Sequence, residues 1–328
     1  MRRFPIAPSL VAAAILVAAC SPASPAPSTT ANGTPGTNGA CATAPAVENA
    51  PGWGSPAQEP ALIPVLIANP GELVCGSNRI LFTFVDKDGR PVGAPDRTAS
   101  AAFYDLARDP AKPIATVDGT FVWAIENERG DYIVTVDFPE AGSYGVEFKT
   151  AAASGAAETV RMTFDVQPSN GVVKVGDVAP ASKTPTLADA GNDPTKISTD
   201  PSPDPAFYQT SIDQAEAAHK PFVVIFATPK FCTSSQCGPT LDRIKPFVAR
   251  YPSVAFIHVE PYKLKLVGGT LQADTDAQGG LVATEVSDQW GLLSEPWVFV
   301  VGSDGIVRAS LELIFTDAEL TAALDAVK

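Results

Sequence analysis

The sequence predicts a multi-domain chain, an all-β sandwich over residues 59–168 followed by an α/β domain over residues 205–328. Three observations lead there. Between Ala61 and Gln167 short apolar or alternating runs recur with turn clusters between them and no helical periodicity, the signature of a sandwich. Beyond Pro205 strand-like and helix-like segments alternate, which is the pattern of an α/β layer. The stretches before and between these regions are rich in Pro, Ser, Thr, Gly and Asp. Such compositions bury too little apolar surface to offset the entropy of ordering.

The chain opens with Met1-Arg2-Arg3 and a short apolar stretch, then reaches Leu16-Val17-Ala18-Ala19-Cys20. A positive start, a short apolar core and small residues before a cleavage point read as a secretory signal over residues 1–19, too short to span a bilayer of about 30 Å. The last five of these residues resemble a bacterial lipobox, which implies that Cys20 is lipidated and holds the mature protein on a membrane surface without a spanning helix. Everything after it is then extracytoplasmic, anchored to the cell membrane in an oxidising compartment. There Cys41, Cys75, Cys232 and Cys237 are candidates for disulfides. Residues 20–58 read as a spacer. The net charge of −13 with no basic run opposes binding to a phosphate backbone, so no nucleic-acid partner is expected.

In the first region the strands are read from "ALIPVLIA", "NRILFTFVD", "SAAFYDLA", "GTFVWAI", "DYIVTVDF", "GSYGVEFKT" and "VRMTFDVQ", with turns such as Asp86-Lys87-Asp88-Gly89 between them. The pattern is similar to the immunoglobulin-like sandwiches of exported bacterial proteins. Trp123, Tyr132 and Tyr144 fit either a binding face or, as aromatics in strands usually do, the core. Cys75 stands at the foot of a strand, and a bridge to Cys41 would close a loop of about 35 residues, worth roughly 4 kcal/mol in the chain-entropy model.

Residues 169–204 read as a linker or extended wrap. After them "SIDQAEAAHK" predicts a helix, "PFVVIFAT" a buried strand, "PTLDRIKPFVARY" a helix and "SVAFIHVE" a strand. Then follow "ATEVSDQWG" as a short helix, "PWVFVVG" and "IVRASLEL" as a hairpin turning at Ser303-Asp304-Gly305, and "TDAELTAALDAV" as a closing helix. This order resembles the thioredoxin-like family, including membrane-tethered extracytoplasmic proteins of the TlpA, ResA and Sco types. Three features carry the resemblance: Cys232 and Cys237 between a buried strand and the next helix, Pro246 interrupting that helix, and Pro296 in "LLSEPWVFVVGSDGIV" as the cis-proline facing the cysteines. It implies a thiol–disulfide oxidoreductase with Cys232, Cys237 and Pro296 at its centre, no cofactor, no resident metal, and protein thiols or disulfides as clients.

The cysteine spacing departs from that family's usual two intervening residues. On a continuous helix positions five apart put their Cα atoms roughly 8.6 Å apart, whereas a disulfide needs less than about 7 Å. The bond therefore requires Cys232 to Gln236 to be non-helical, and Gly238-Pro239 agrees, placing both cysteines on the loop that feeds the helix, Cys237 the nearer to its N-terminus. Which cysteine attacks first stays open. Glu295 admits two readings, an auxiliary group that holds a proton or a client's lysine, or an ordinary solvated carboxylate. "VVIFA" offers no acid beneath the cysteines.

Three rival readings remain. A non-enzymatic binding lipoprotein would use the 232–237 bridge as a structural staple. A copper chaperone of the Sco type would exploit two soft thiolates for Cu(I) but needs a histidine, and His219 and His258 read as satisfied helix-end and strand residues. Peroxiredoxins with two cysteines on one helix share the spacing of "CTSSQC". Here, however, Thr228 is one residue out of register, Ile225 occupies the proline position, and Pro296 stands where an arginine is expected.

Overall fold

Along β2 (Gly76–Asp86) the side chains of Ile80, Phe82 and Phe84 alternate onto one face, and each is essentially sealed from water. That is what a pleat of period two requires. Leu81, on the opposite face, is buried too, because that face packs against Ile314. A strand covered on both sides reads as an unbroken apolar run, which explains "ILFTF".

The computed structural model describes residues 41–54, 60–68 and 71–328. The expected signal over 1–19 and the lipidation site Cys20 lie outside the described residues. In the first region β1 (Leu62–Ile67), β2, β3 (Thr98–Asp105), β4 (Ala115–Asp118), β5 (Thr120–Ile125), β6 (Arg129–Phe138), β7 (Gly142–Ala151) and β8 (Glu158–Val166) form two antiparallel sheets. Their orders are β1-β2-β6-β5 and β4-β3-β7-β8. Register in the first sets Phe82 opposite Tyr132 and Ile80 opposite Val134. In the second it sets Phe103 opposite Val146.

The two inner faces share one core. Phe82 meets Phe148 of the facing sheet at 4.6 Å between ring centroids. Tyr132 and Tyr144 belong to this core, with their hydroxyls donating to the carbonyls of Arg97 and Glu140. They line no open binding face. Residues 41–54, within the stretch read as a spacer, lie along the sandwich: Ala44 donates to the Ala141 carbonyl, and Trp53 packs on Tyr104.

The second region holds α1 (Ile212–Ala217), β9 (Phe222–Phe226), α2 (Cys237–Arg250), β10 (Ala255–Val259), β11 (Leu264–Val267), β12 (Thr270–Ala273), α3 (Glu285–Trp290), β13 (Trp297–Val301), β14 (Val307–Glu312) and α4 (Asp317–Asp325). A four-stranded sheet runs β10-β9-β13-β14. β10 lies parallel to β9, whereas β13 is antiparallel to both β9 and β14. Val223, Ile225, Val298 and Val300 pack with α2 and α4 on one face. Phe222, Val224, Phe226 and Phe299 pack with Trp290 and Ile212 on the other. The β11–β12 hairpin turns on Gly268 and Gly269, both at positive φ, and was not anticipated.

Residues 168–204 run as an irregular strap along this region. Val172 and Val173 enter its core, Gly176 donates to Val307, Ala179 donates to Gly305, and Ser182 bonds both Gln289 and the Trp290 indole. Arg79 of β2 reaches α4, pairing with Glu319 and donating to the carbonyls of Glu312 and Ile314.

The expected fold class, an immunoglobulin-like sandwich joined to an α/β thioredoxin-like domain, is therefore corrected. Among the described residues fourteen strands stand against four α-helices, and the described residues form one compact unit. The protein is predominantly β. The physical reason is helix length: α1 and α3 have 6 residues each and α4 has 9, so their sequence periodicity overstated the helical share. Pro246 does not interrupt α2 either, since the helix runs through it from Cys237 to Arg250.

Candidate redox site

β9 delivers the chain into a loop whose course is held at several points. Phe231 donates to the Thr228 carbonyl, the Lys230 ammonium donates to the Leu271 carbonyl, and the Ser234 hydroxyl donates to the Glu295 carbonyl. Ser235 adopts a left-handed backbone with φ of 61°. Residues 232–236 are non-helical and α2 begins at Cys237, with Pro239 in its first turn. A proline there removes no bond, because the first amides of a helix lack intrahelical partners.

That path brings the Cys232 and Cys237 Cα atoms to 6.1 Å, and the two residues form a disulfide. The helix geometry worked out from sequence forbade such a bond and the loop permits it. The sulfurs differ sharply in environment. Cys237 is fully buried in the core beneath α2, whereas Cys232 is half-buried and its Sγ accepts the Cys237 amide at 3.2 Å. A second disulfide, Cys41–Cys75, has a Cα separation of 6.5 Å and clips residues 41–44 to the sandwich.

The Glu295–Pro296 peptide is cis, and the Pro296 carbonyl accepts from the Leu313 amide. Glu295 departs from the reading of a solvated carboxylate, being only 6% exposed. Its Oε2 accepts the Tyr262 hydroxyl at 2.5 Å, while its Oε1 has no hydrogen-bond partner among the described residues. One carboxylate oxygen and the two sulfurs lie within 4.8 Å of one another. An acid therefore does stand beside the cysteines, supplied from the turn before β13 and not from β9. Burial raises the Tyr262 phenol's pKa, and its bond to the Glu295 carboxylate raises it further.

Beside this cluster a groove of about 450 Å³ is lined by Val65, Leu66, Ser234, Tyr262, Glu295 and Leu313. Tyr262 is the site residue that the sequence reading missed, because it lies 33 positions from its partner and in no motif. His258 is buried with both ring nitrogens engaged, by the Tyr208 hydroxyl and the Ala227 carbonyl. Neither histidine belongs to the group of possible metal ligands found among the described residues, which consists of Cys232, Cys237 and Glu295.

Two disulfides in one chain point to an oxidising, extracytoplasmic location. Among the described residues no helix is long and apolar enough to cross a membrane.

No family model matches the chain, and no curated protein matches it. Among solved structures it is similar to a DUF4426 family protein from Pseudomonas aeruginosa, at 13% identity over 34% of this chain and 96% of that one, with a TM-score of 0.25. It is also similar to the Lin-41 filamin domain, at 15% identity over 32% of this chain and 93% of that one, with a TM-score of 0.19. Likenesses this slight carry no argument about family or function.

Proposed function

We propose that Cys232 and Cys237 are a reversible dithiol–disulfide couple that exchanges with protein thiols outside the cytoplasm, on a chain tethered to the membrane by a lipid on Cys20. The observation that carries this reading is the unequal exposure of the two sulfurs, Cys232 half-buried at the surface and Cys237 sealed at the first residue of α2. A client thiolate attacks Cys232 Sγ, the bond to Cys237 breaks, and Cys237 leaves as a thiolate. Cys237 departs from the first residue of α2, where the helix dipole favours negative charge. Cys237 then attacks the mixed disulfide to reverse the step, or a second thiol of the client completes the reduction.

A second reading is favoured by the full burial of Cys237: a non-enzymatic binding lipoprotein whose 232–237 bond is a staple. It asks for nothing beyond the bond itself. Equilibration of the folded protein against a dithiothreitol series separates the two. A midpoint well below about −300 mV marks an inert structural bond and ends the exchange reading, whereas a higher midpoint, with the Cys41–Cys75 bond still closed, supports it.

A further inference from the structure

We propose that the reduced protein carries a metal site in which the Cys232 and Cys237 thiolates and the Glu295 carboxylate bind a zinc-class d¹⁰ cation, so that the disulfide acts as a redox gate on metal binding. The sequence reading expected no metal. Three observations on the fold argue otherwise. The three ligand atoms already lie within 4.8 Å of one another. In a tetrahedral zinc site with Zn–S of about 2.3 Å and Zn–O of about 2.0 Å, ligands sit roughly 3.5–3.8 Å apart. Opening the disulfide moves the sulfurs toward that spacing, and the carboxylate has only about 1 Å to travel.

The second observation is the orphaned oxygen. Glu295 is 6% exposed and Oε1 lacks a hydrogen-bond partner among the described residues. A buried carboxylate oxygen without a donor is costly unless something positive reaches it. The third is the Tyr262 hydroxyl on Oε2, which fixes the carboxylate as outer-shell partners fix metal ligands. Two thiolates and one carboxylate leave a fourth position for water, and this ligand set suits zinc better than calcium or magnesium, which take oxygen ligands alone.

The chemistry balances in two steps. A dithiol or phosphine reductant supplies two electrons and is itself oxidised, opening the bond to two thiols. Zinc then displaces two protons to give a dithiolate complex. A small disulfide oxidant takes the two electrons back: one thiolate attacks it and releases a thiolate, the second closes the Cys232–Cys237 bond and releases the other, and Zn²⁺ leaves with its ligands gone.

The inference shares with the exchange reading the requirement that the bond open in the folded protein. The test reduces the full chain with a phosphine, counts free thiols, and titrates it with Zn²⁺ against a chromophoric chelator. The expected result is one Zn²⁺ per chain when two thiols are free and none in the oxidised protein. Binding should weaken at least about 10-fold in Glu295→Gln, fall in the same direction in Tyr262→Phe, and vanish in Cys232→Ala. With Cd²⁺ in place of zinc, the thiolate-to-metal ultraviolet absorption should follow the same order.

Two free thiols with no zinc bound, or a wild-type affinity in Glu295→Gln, would overturn the metal site and leave the exchange reading untouched. Zinc uptake together with a midpoint below about −300 mV would end the exchange reading and keep the metal site. A bond that resists the phosphine while the protein stays folded would end both.

Discussion

Removing the two disulfides separately should reveal different jobs. Cys41–Cys75 closes a loop with a sequence separation of 34, and Cys232–Cys237 one with a separation of 5. In the chain-entropy model these lengths correspond to about 4 and about 2 kcal/mol of denatured-state restriction. Replacing Cys237, which is fully buried, also leaves a small void that adds about 1 kcal/mol to the second figure. The double variant Cys41→Ala/Cys75→Ala should therefore lose more stability than Cys232→Ala/Cys237→Ala. Urea unfolding with a slope near 3 kcal/mol/M would show this as midpoint shifts of about 1.3 M against about 1 M or less. A 232–237 double variant that loses as much as the other, or more, would refute the reasoning and mark that bond as the principal staple of the fold.

Other perturbations test the packing that holds the site in place. Burial pushes the Asp131 carboxyl up to about 6 against the pull of Arg129. The unfolded state ionises first as pH rises from about 4, so this group lowers stability increasingly toward pH 6 and fully above it, by up to about 3 kcal/mol. Asp131→Asn should accordingly raise the urea midpoint at pH 7 and leave it nearly unchanged at pH 4. Gly291, at φ of 64°, caps α3 where an added Cβ would lie 1.8 Å from the Gly171 carbonyl oxygen. Gly291→Ala should displace the strap, cost about 3 kcal/mol or more, and open Lys174 to trypsin, read by the rate of nicking. Burial alone would raise Glu319, yet its bond and charge pairing with Arg79 hold it below its ordinary carboxylate value. That pairing stabilises the fold above about pH 4 and its contribution fades as pH falls further. Arg79→Met should thus lose about 2–3 kcal/mol at pH 7, with the gap to wild type shrinking in acid.

Much of the element order could be read from local pattern. The turn residues and alternation marked the sandwich strands, and the runs "FVVIF" and "WVFVV" marked strands buried on both faces, as β9 and β13 are. What local pattern could not supply was proportion. Segments such as "ATEVSDQWG" have a cap and one apolar face, yet α3 closes after 6 residues at the left-handed Gly291, against which the strap packs too closely for any Cβ. Nor could composition show that the Pro-rich segment 169–204 is tied down, since the bonds that anchor its first part run to Trp290, Gly305 and Val307. Those partners lie more than a hundred positions away in the chain.

The site itself divides along the same line. The disulfide was legible because its two ends lie 5 residues apart and Gly238-Pro239 sets the helix start between loop and α2. Its acid was not. Glu295 stands in a polar turn that reads as solvated, and only the tertiary fold turns its side chain inward, where the Tyr262 hydroxyl secures Oε2, Oε1 finds no partner among the described residues, and the carboxylate lies within 4.8 Å of the sulfurs. A buried carboxylate retained beside two sulfurs is expensive for folding alone. Its cost is offset only in a state that gives Oε1 a partner, and the oxidised site offers none among the described residues. The reduced state can supply one, either a thiol proton or a cation held between the thiolates, which makes the substitution of Glu295 the most informative single change at this site.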